Sequence, residues 1–339
     1  MKRNFFILFT FFTLLAPFTL SAQHQIERTT EVYAIKGQDT LLLDIYLDKT
    51  IPVNAPRPMM IHVHGGGFSM GSRKNVMQEL FNRHYAELGW VSVSIDYRLG
   101  ANQAAFLPDG TSKYGVKGTH DIIRLACEDL VDATTYMLNK KELNIDPTKV
   151  LTSGGSAGAF TIVCTEYDLC NDAAYTKRLP DGFNYAGIIS HAGAVGNLGD
   201  TITWQHTPCP MLLMHGSKDQ IVAIERGVSG DEQIFGSIYL HRQFEQMGVP
   251  HWLYVEKGAD HCIAMKGLDL TGEADRFYKD YVENKKAKSA VTEWEDNEPA
   301  TMEDISAMIK NVPLYIIGYE KYLEEMDWGN IQAPTEIKY

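Results

Sequence analysis

Short runs of apolar residues recur along the chain, separated by turn-forming residues, and their spacing switches between a period of two and a helical period. Leu43, Ile45 and Leu47 share one side of an extended segment within Thr40–Leu47. Pro58 to His64 is a compact apolar run that ends in three glycines. Trp90 to Ile95 is β-branched and alternating, and Lys149–Ser153, Tyr185–Ser190, Pro210–His215 and His251–Val255 add four more short strands. Between them, residues 121–139 carry Ile122, Leu125, Ala126, Leu130, Ala133 and Met137 near helical spacing. Gly236 to Met247 reads as a helix that stops at Gly248, and Ala274 to Lys285 as another. Asp146-Pro147 marks a turn. Strands that alternate with helices predict an α/β fold with a mainly parallel central sheet and helices on both faces. Right-handed crossovers then bring every strand C-terminus to one edge, where an active site forms.

The two ends of the chain break this rhythm. Lys2 and Arg3 precede an apolar run from Phe5 to Leu20, closed by Ser21-Ala22-Gln23, which is the layout of a cleaved secretory signal. The run is short for a bilayer span and Pro17 interrupts it, so no stable membrane anchor is expected. Residues 1–22 are therefore assigned to a signal peptide and 23–285 to the catalytic domain. Residues 286–300 are polar and charged and read as a surface connector. Helical periodicity returns through Ile305, Met308, Ile309, Leu314, Ile317, Tyr322 and Leu323, broken at Pro313. Residues 286–339 are accordingly expected to be a C-terminal helical extension packed on the core or on a partner, which leaves a homo-oligomer open. The mature protein is expected to be periplasmic or secreted.

Composition adds limits. Of 339 residues, 45% are hydrophobic and 22% charged, which excludes a disordered tail, a fibrous repeat or a disulfide scaffold. Thirty-one basic and 43 acidic residues give a net charge of −12, which becomes −14 once Lys2 and Arg3 are removed. No basic stripe is present to neutralise phosphates, so nucleic acid is not an expected partner. The five cysteines, Cys127, Cys164, Cys170, Cys209 and Cys262, match no zinc ribbon and read mostly as small buried hydrophobes.

The strongest chemical signal is Gly154-Gly155-Ser156-Ala157-Gly158, set between a strand and an apolar helix. A nucleophilic serine needs its hydroxyl held above a sharp strand-to-helix turn, and glycines on either side relieve the crowding of that turn. Its place at a helix N-terminus favours developing negative charge. The second signal is His64-Gly65-Gly66-Gly67-Phe68 after an apolar strand. Consecutive glycines let backbone N–H groups approach a ligand oxygen. No Gly-Lys-Ser/Thr follows and no Gly-x-Gly-x-x-Gly opens a helix, so a phosphate loop is disfavoured.

Together these two motifs resemble the α/β-hydrolase superfamily, in its carboxylesterase and hormone-sensitive-lipase-like branch. Asp96-Tyr97-Arg98-Leu99 after a strand and Asp146-Pro147 before the nucleophile strand resemble the same branch. The resemblance implies oxyanion donors at the N–H groups of Gly66, Gly67 and Ala157. It also implies the chain order serine, acid, histidine. Asp219, just past the Pro210–His215 strand, and His261, just past the last strand, occupy the family's acid and base positions and project from the same sheet edge as Ser156. Asp260 reads as a loop residue, and His191 as a core or rim residue. His206 and His251 precede strands and fall at the wrong edge. His62 and His64 have no carboxylate or cysteine partner at a metal-binding spacing, so no metal site is assigned. Asp96 and Arg98 are expected in an internal ion pair. The loop 100–119, with Phe106 and Tyr114, is expected to border the pocket, and Phe68 and Tyr97 are the candidate substrate-binding residues. Gly155 departs from the family, which often has an acid there. The short stretch between the Tyr185–Ser190 and Pro210–His215 strands leaves little room for a large lid, which argues against interfacial lipase action.

The expected activity is that of an exported serine carboxylesterase, working through a Ser-His-Asp triad and an acyl-enzyme, with no cofactor. Its substrate would be a small-molecule or glycan-linked ester, with acylated carbohydrate or phenolic esters suggested by export. The alternatives are a serine exopeptidase of the same fold, and a non-catalytic binding protein that keeps the fold.

Overall fold

A computed structural model describes residues 24–108, 110–267, 270–295 and 301–303. The signal segment 1–22 and most of the expected C-terminal helical extension lie outside the described residues. The elements run β1 (Ile26–Lys36), β2 (Asp39–Asp48), β3 (Arg57–Val63), α1 (Val76–Glu87), β4 (Val91–Ile95), α2 (Thr119–Asn139), β5 (Ile145–Gly155), α3 (Ala157–Cys170), β6 (Gly187–His191) and β7 (Ala194–Asn197). They continue with β8 (Met211–Gly216), β9 (Arg226–Ser229), β10 (Glu232–Gly236), α4 (Ser237–Met247), β11 (His251–Lys257), α5 (Thr271–Phe277) and β12 (Ala290–Glu295).

Nine strands form one sheet in the order β1-β2-β4-β3-β5-β6-β8-β11-β12. The pairings β1–β2 and β2–β4 are antiparallel, and every pairing from β4 to β12 is parallel. This is the α/β arrangement that the alternation predicted. The central strands are buried on both faces because alternate residues feed two cores. Met59, Ile61 and Val63 of β3 join Ile123, Phe160 and Phe244 of α2, α3 and α4. Met60 faces the other way, into a core with Phe81 and Tyr85 of α1 and Phe277 of α5. In β4, Val91, Val93 and Ile95 enter the first core, while Ser92 turns to α1 and donates a hydrogen bond to Asn82 Oδ1 at 2.7 Å. A buried hydroxyl on a strand thus finds its partner on the covering helix.

The strand order reverses between β3 and β5. After β3 the chain moves outward to β4, whereas after β5 it moves the opposite way to β6, β8 and β11. A crevice opens outside the C-terminal ends of strands at such a reversal. The loop after β3 and the turn after β5, the two glycine-rich motifs, meet there.

Several features differ from the sequence reading. β1 is an edge strand with mostly half-exposed residues, so it lacks the continuous apolar run that marked the others. A second sheet, β7-β10-β9, was not foreseen; its strands are four or five residues long. Asp146-Pro147 lies inside β5, at a register shift between Arg57 and Met59 of the partner strand, and Asp146 Oδ1 accepts the Thr148 N–H at 2.9 Å. The local turn is real but interrupts a strand instead of preceding it. The polar connector 286–300 contains β12, which pairs with β11 at the sheet edge. Its residues are mostly exposed, Val291 and Trp294 among them, so it has no buried apolar run to mark it as a strand. All five cysteines are buried and none is in a disulfide. Among the described residues, no helix is long and apolar enough to cross a membrane.

Candidate active site

Ser156 occupies the turn between β5 and α3 with φ +54° and ψ −122°. A non-glycine residue at positive φ is strained, and the surrounding packing must hold it. The Ser156 N–H donates to the His191 carbonyl of β6 at 2.9 Å. A Cβ on Gly158 would stand 2.0 Å from the Val63 carbonyl oxygen, and one on Gly154 would stand 2.7 Å from Gly158 C. One on Gly155 would stand 2.0 Å from the Ala264 carbonyl oxygen. The elbow is therefore wedged between the end of β3 and the turn after β11, which leaves no room for a side chain at position 155. The Ser156 hydroxyl makes no helix-capping bond, so it is available to its other neighbour.

That neighbour is His261. Its Nε2 lies 2.8 Å from Ser156 Oγ, and its Nδ1 lies 2.7 Å from Asp219 Oδ2. The three side chains come from the turns after β5, β8 and β11, at one edge of the sheet. Close backbone approach fixes the acid and base turns to each other. Ser217 N–H donates to the Glu256 carbonyl, Lys218 N–H donates to the Ala259 carbonyl, each at 2.9 Å, and Gly258 N–H donates to Ser217 Oγ at 2.8 Å. A Cβ on Gly216 would collide with the Asp260 carbonyl oxygen at 2.2 Å. Asp260 points elsewhere: its carboxylate accepts the N–H groups of Cys262 and Met302. The described start of the C-terminal region is thereby tied to the turn that bears His261.

Burial works to raise the Asp219 carboxyl, but hydrogen bonds from His215, His261 and the Val222 N–H outweigh it and hold the group well below the usual carboxylate range. It is therefore an anion beside the imidazole. His215 was not singled out in the sequence. It ends the β8 run, is fully buried, and sits 3.4 Å from Asp219 Oδ2 through Nε2. Nε2 also lies 3.0 Å from the Val222 carbonyl, which only accepts, so that nitrogen carries the proton. Ser237 Oγ then donates to Nδ1 at 2.8 Å. Its position four residues before Asp219, on an inward-facing strand, is the one sequence signal that marks it.

The glycine loop after β3 lies against the elbow. A Cβ on Gly65 would be 2.8 Å from the Gly155 carbonyl oxygen and 3.4 Å from Ser156 Cβ. Gly66 takes φ +118° and Gly67 φ +59°, and the Gly66 carbonyl accepts the N–H groups of Ser69 and Met70, both at 3.1 Å. Ala157 is the first residue of α3, so its N–H has no intrahelical acceptor. Gly65 thus holds the loop that carries Gly66 and Gly67 against the elbow, and Ala157 directly follows Ser156. Phe68 is buried at φ +57° and meets Tyr97 edge-on at 6.3 Å. Tyr97 is 3% exposed, stacks on His64 at 4.3 Å, and donates its hydroxyl to the His64 carbonyl at 2.9 Å. It underpins the glycine loop instead of lining a pocket. Asp96 and Arg98 do not pair with each other. Asp96 binds Arg73 at 2.5 Å and Arg98 binds Asp129 at 2.7 Å. The loop after β4 joins the site through the Ala101 N–H, which donates to the Phe68 carbonyl at 3.0 Å, and through the Asn102 side chain, whose Nδ2 donates to the Ser69 carbonyl at 2.6 Å.

His191 and His62 are buried near the elbow, and burial pushes them down to about 4 and about 3 respectively. Both are neutral and neither touches the Ser156 hydroxyl. His206 is on the surface beside Asp172 at 3.1 Å, and His251 opens β11 at the far edge.

The carboxylesterase family model matches residues 18–165. Gut esterase 1 of Caenorhabditis elegans is 29% identical over 161 residues, covering 47% of this chain and 25% of its own length. Esterase B1 of Culex pipiens is 30% identical over 214 residues, covering 60% of this chain and 37% of its own length. A non-reducing polyketide synthase of Penicillium roqueforti is 28% identical over 147 residues, covering 43% of this chain and 6% of its own length. The chain therefore spans well under two thirds of these curated relatives. Among solved structures, esterase 2 of Thermogutta terrifontis, phosphorylated by paraoxon, superimposes with a TM-score of 0.52 at 19% identity. The match covers 76% of this chain and 94% of that one. Esterase B of Lactobacillus rhamnosis gives 0.52 at 17% identity, over 77% and 87%. The fold is that of the α/β-hydrolases.

Proposed function

We propose that this α/β-hydrolase-fold chain is an exported serine carboxylesterase. The observation that carries the reading is the unbroken line Asp219–His261–Ser156, with hydrogen-bond distances of 2.7 and 2.8 Å. A serine hydroxyl is a poor nucleophile unless a base takes its proton as it attacks. Anionic Asp219 keeps the Nδ1 proton of His261 in place, which leaves Nε2 as that base and stabilises the imidazolium formed next. Ser156 Oγ attacks the ester carbonyl, and its proton passes to His261. The N–H groups of Gly66, Gly67 and Ala157 receive the oxyanion, at roughly 3–4 kcal/mol for a well-aimed donor. His261 returns the proton to the leaving alcohol. Water then repeats the cycle on the acyl-enzyme and frees the acid. No step calls for a metal or an organic cofactor.

Exposed Met70, Leu107, Ile221 and Met265 stand on the loops after β3, β4, β8 and β11. This apolar rim favours esters with an apolar acyl or alcohol part, phenolic esters among them. The basic start, apolar middle and small-residue end of residues 1–22 support export. The test is hydrolysis of p-nitrophenyl acetate and butyrate by the purified chain beside its Ser156→Ala variant. Rapid turnover that falls by about three orders of magnitude or more in the variant is expected. Equal turnover by the two proteins refutes the reading. Faster cleavage of aminoacyl amides than of esters would favour the exopeptidase instead.

A further inference from the structure

A second group of side chains capable of chemistry lies at the opposite edge of the sheet. His241 and Glu245 are four residues apart on α4 and so share a face of that helix. His251 opens β11, one loop later. One ligating atom from each of the three lies within 4.8 Å of the others. His241 Nδ1 is 2.7 Å from His251 Nε2, and Glu245 Oε1 is 3.8 Å from the same nitrogen. β11 is seven residues long, which puts this group roughly 20 Å along the strand from the turn bearing His261.

The protonation pattern of His251 suits a ligand. Its Nδ1 lies 2.8 Å from the Val249 carbonyl, which only accepts, so Nδ1 carries the proton and Nε2 presents a lone pair towards His241. Ser289 Oγ lies 3.0 Å from that same Nδ1. A ring nitrogen fixed by a backbone carbonyl, with the other aimed at the site, is how ligating histidines are usually oriented. The pair is fully buried at His251 and open at Glu245, whose side chain is 53% exposed. A hollow of about 310 Å³ lined by Glu245, Lys288 and Ser289 adjoins it and leaves space for a solvent ligand.

We propose that His241, Glu245 and His251 form a structural site for a divalent transition-metal cation, Zn²⁺ being the best match, which staples α4 to the start of β11. Two imidazoles and a carboxylate suit a borderline cation with tetrahedral preference, with solvent as fourth ligand. Ligands about 2.0–2.1 Å from such an ion are about 3.3 Å apart, so the two rings need to part by about 0.6 Å. His241 provides that movement from a half-buried helix face. Its ring takes the tautomer protonated at Nε2, which frees Nδ1 for the ion.

The test uses the untagged full chain, stripped with a chelator and titrated with ZnCl₂ by calorimetry and by thermal unfolding. Saturable one-to-one binding at about 1 µM or tighter is expected, with a rise in the unfolding midpoint. His241→Ala should weaken binding at least tenfold and abolish the rise, and Glu245→Gln should weaken both. These two residues sit on the outer part of α4, so their variants should keep the circular dichroism of the parent. An absence of stoichiometric binding, or equal affinity in the parent and His241→Ala, overturns the proposal. Ester turnover by the stripped protein should match that of the zinc-loaded protein, because Ser156 lies at the other edge.

Discussion

His215 Nε2 stands 3.4 Å from Asp219 Oδ2, the same carboxylate oxygen that meets His261 Nδ1 at 2.7 Å. The oxygen is thus shared between the His261 imidazole, which also meets Ser156 Oγ, and the fully buried ring of His215. With the Ile221 and Val222 N–H groups, both 2.9 Å from the other oxygen, His215 fixes the plane of the carboxylate. Replacing His215 with Phe removes a donor to a charged group, worth roughly 1.5–3 kcal/mol. A fall in kcat of about tenfold to a hundredfold, with KM little changed, is expected from steady-state ester hydrolysis. Unaltered kcat in a folded variant would remove His215 from the positioning of the acid.

Asp219→Asn tests the acid itself. The neutral amide no longer selects the Nδ1-protonated form of His261 or supports its cation. A loss of about four orders of magnitude in kcat is expected, by analogy with the same change in other Ser-His-Asp enzymes. Labelling of Ser156 by a fluorophosphonate should slow in parallel. Retention of more than a tenth of the parent rate would point to another acid.

Gly155→Ala probes the elbow from behind. The added Cβ would sit 2.0 Å from the Ala264 carbonyl oxygen, so backbone has to move on the turn next to His261. Activity should fall further than stability, because the shift separates His261 from Ser156 while the sheet remains intact. Unfolding in urea together with ester turnover will separate the two effects. Tyr97→Phe is the milder companion: losing the bond to the His64 carbonyl should cost about 1 kcal/mol of stability.

Acid should weaken the fold through His62 and His191, which burial holds down to about 3 and about 4. Both are neutral when folded at pH 5, whereas unfolded histidines bind protons below about 6.5. The unfolded state then carries the extra protons, so stability falls as the pH drops below that value, until the folded-state values are reached. Between pH 7 and 5 the loss is about 2 kcal/mol for each residue. Urea midpoints measured across that range should drop steeply for the parent and about half as steeply for His62→Leu. Asp219 acts in the same sense at lower pH: its lowered carboxyl contributes stability above the usual carboxylate range and loses it progressively as pH falls from that range towards its folded value.

Ser156, Asp219 and His261 were legible in the sequence because each follows an apolar run that is a buried parallel strand, and parallel crossovers deliver all such ends to one edge. The glycine motifs were legible for a related reason: only glycine tolerates the backbone contacts they make, so the constraint is written in the residue type. Tertiary structure decided what depends on partners distant in the chain. Tyr97 looked free to bind substrate until the His64 carbonyl claimed its hydroxyl, and Asp96 and Arg98 turned to Arg73 and Asp129 instead of to each other. His215 gained its position only when β8 and the turn after it folded back on Asp219. β12 was concealed because its apolar Ala290, Val291 and Trp294 are spread over both faces among Thr292, Glu293 and Glu295, and it takes its order from β11, not from a buried face of its own. Periodicity and local sterics are properties of the sequence alone. The pairing of buried polar groups is settled only when the whole chain has closed around them.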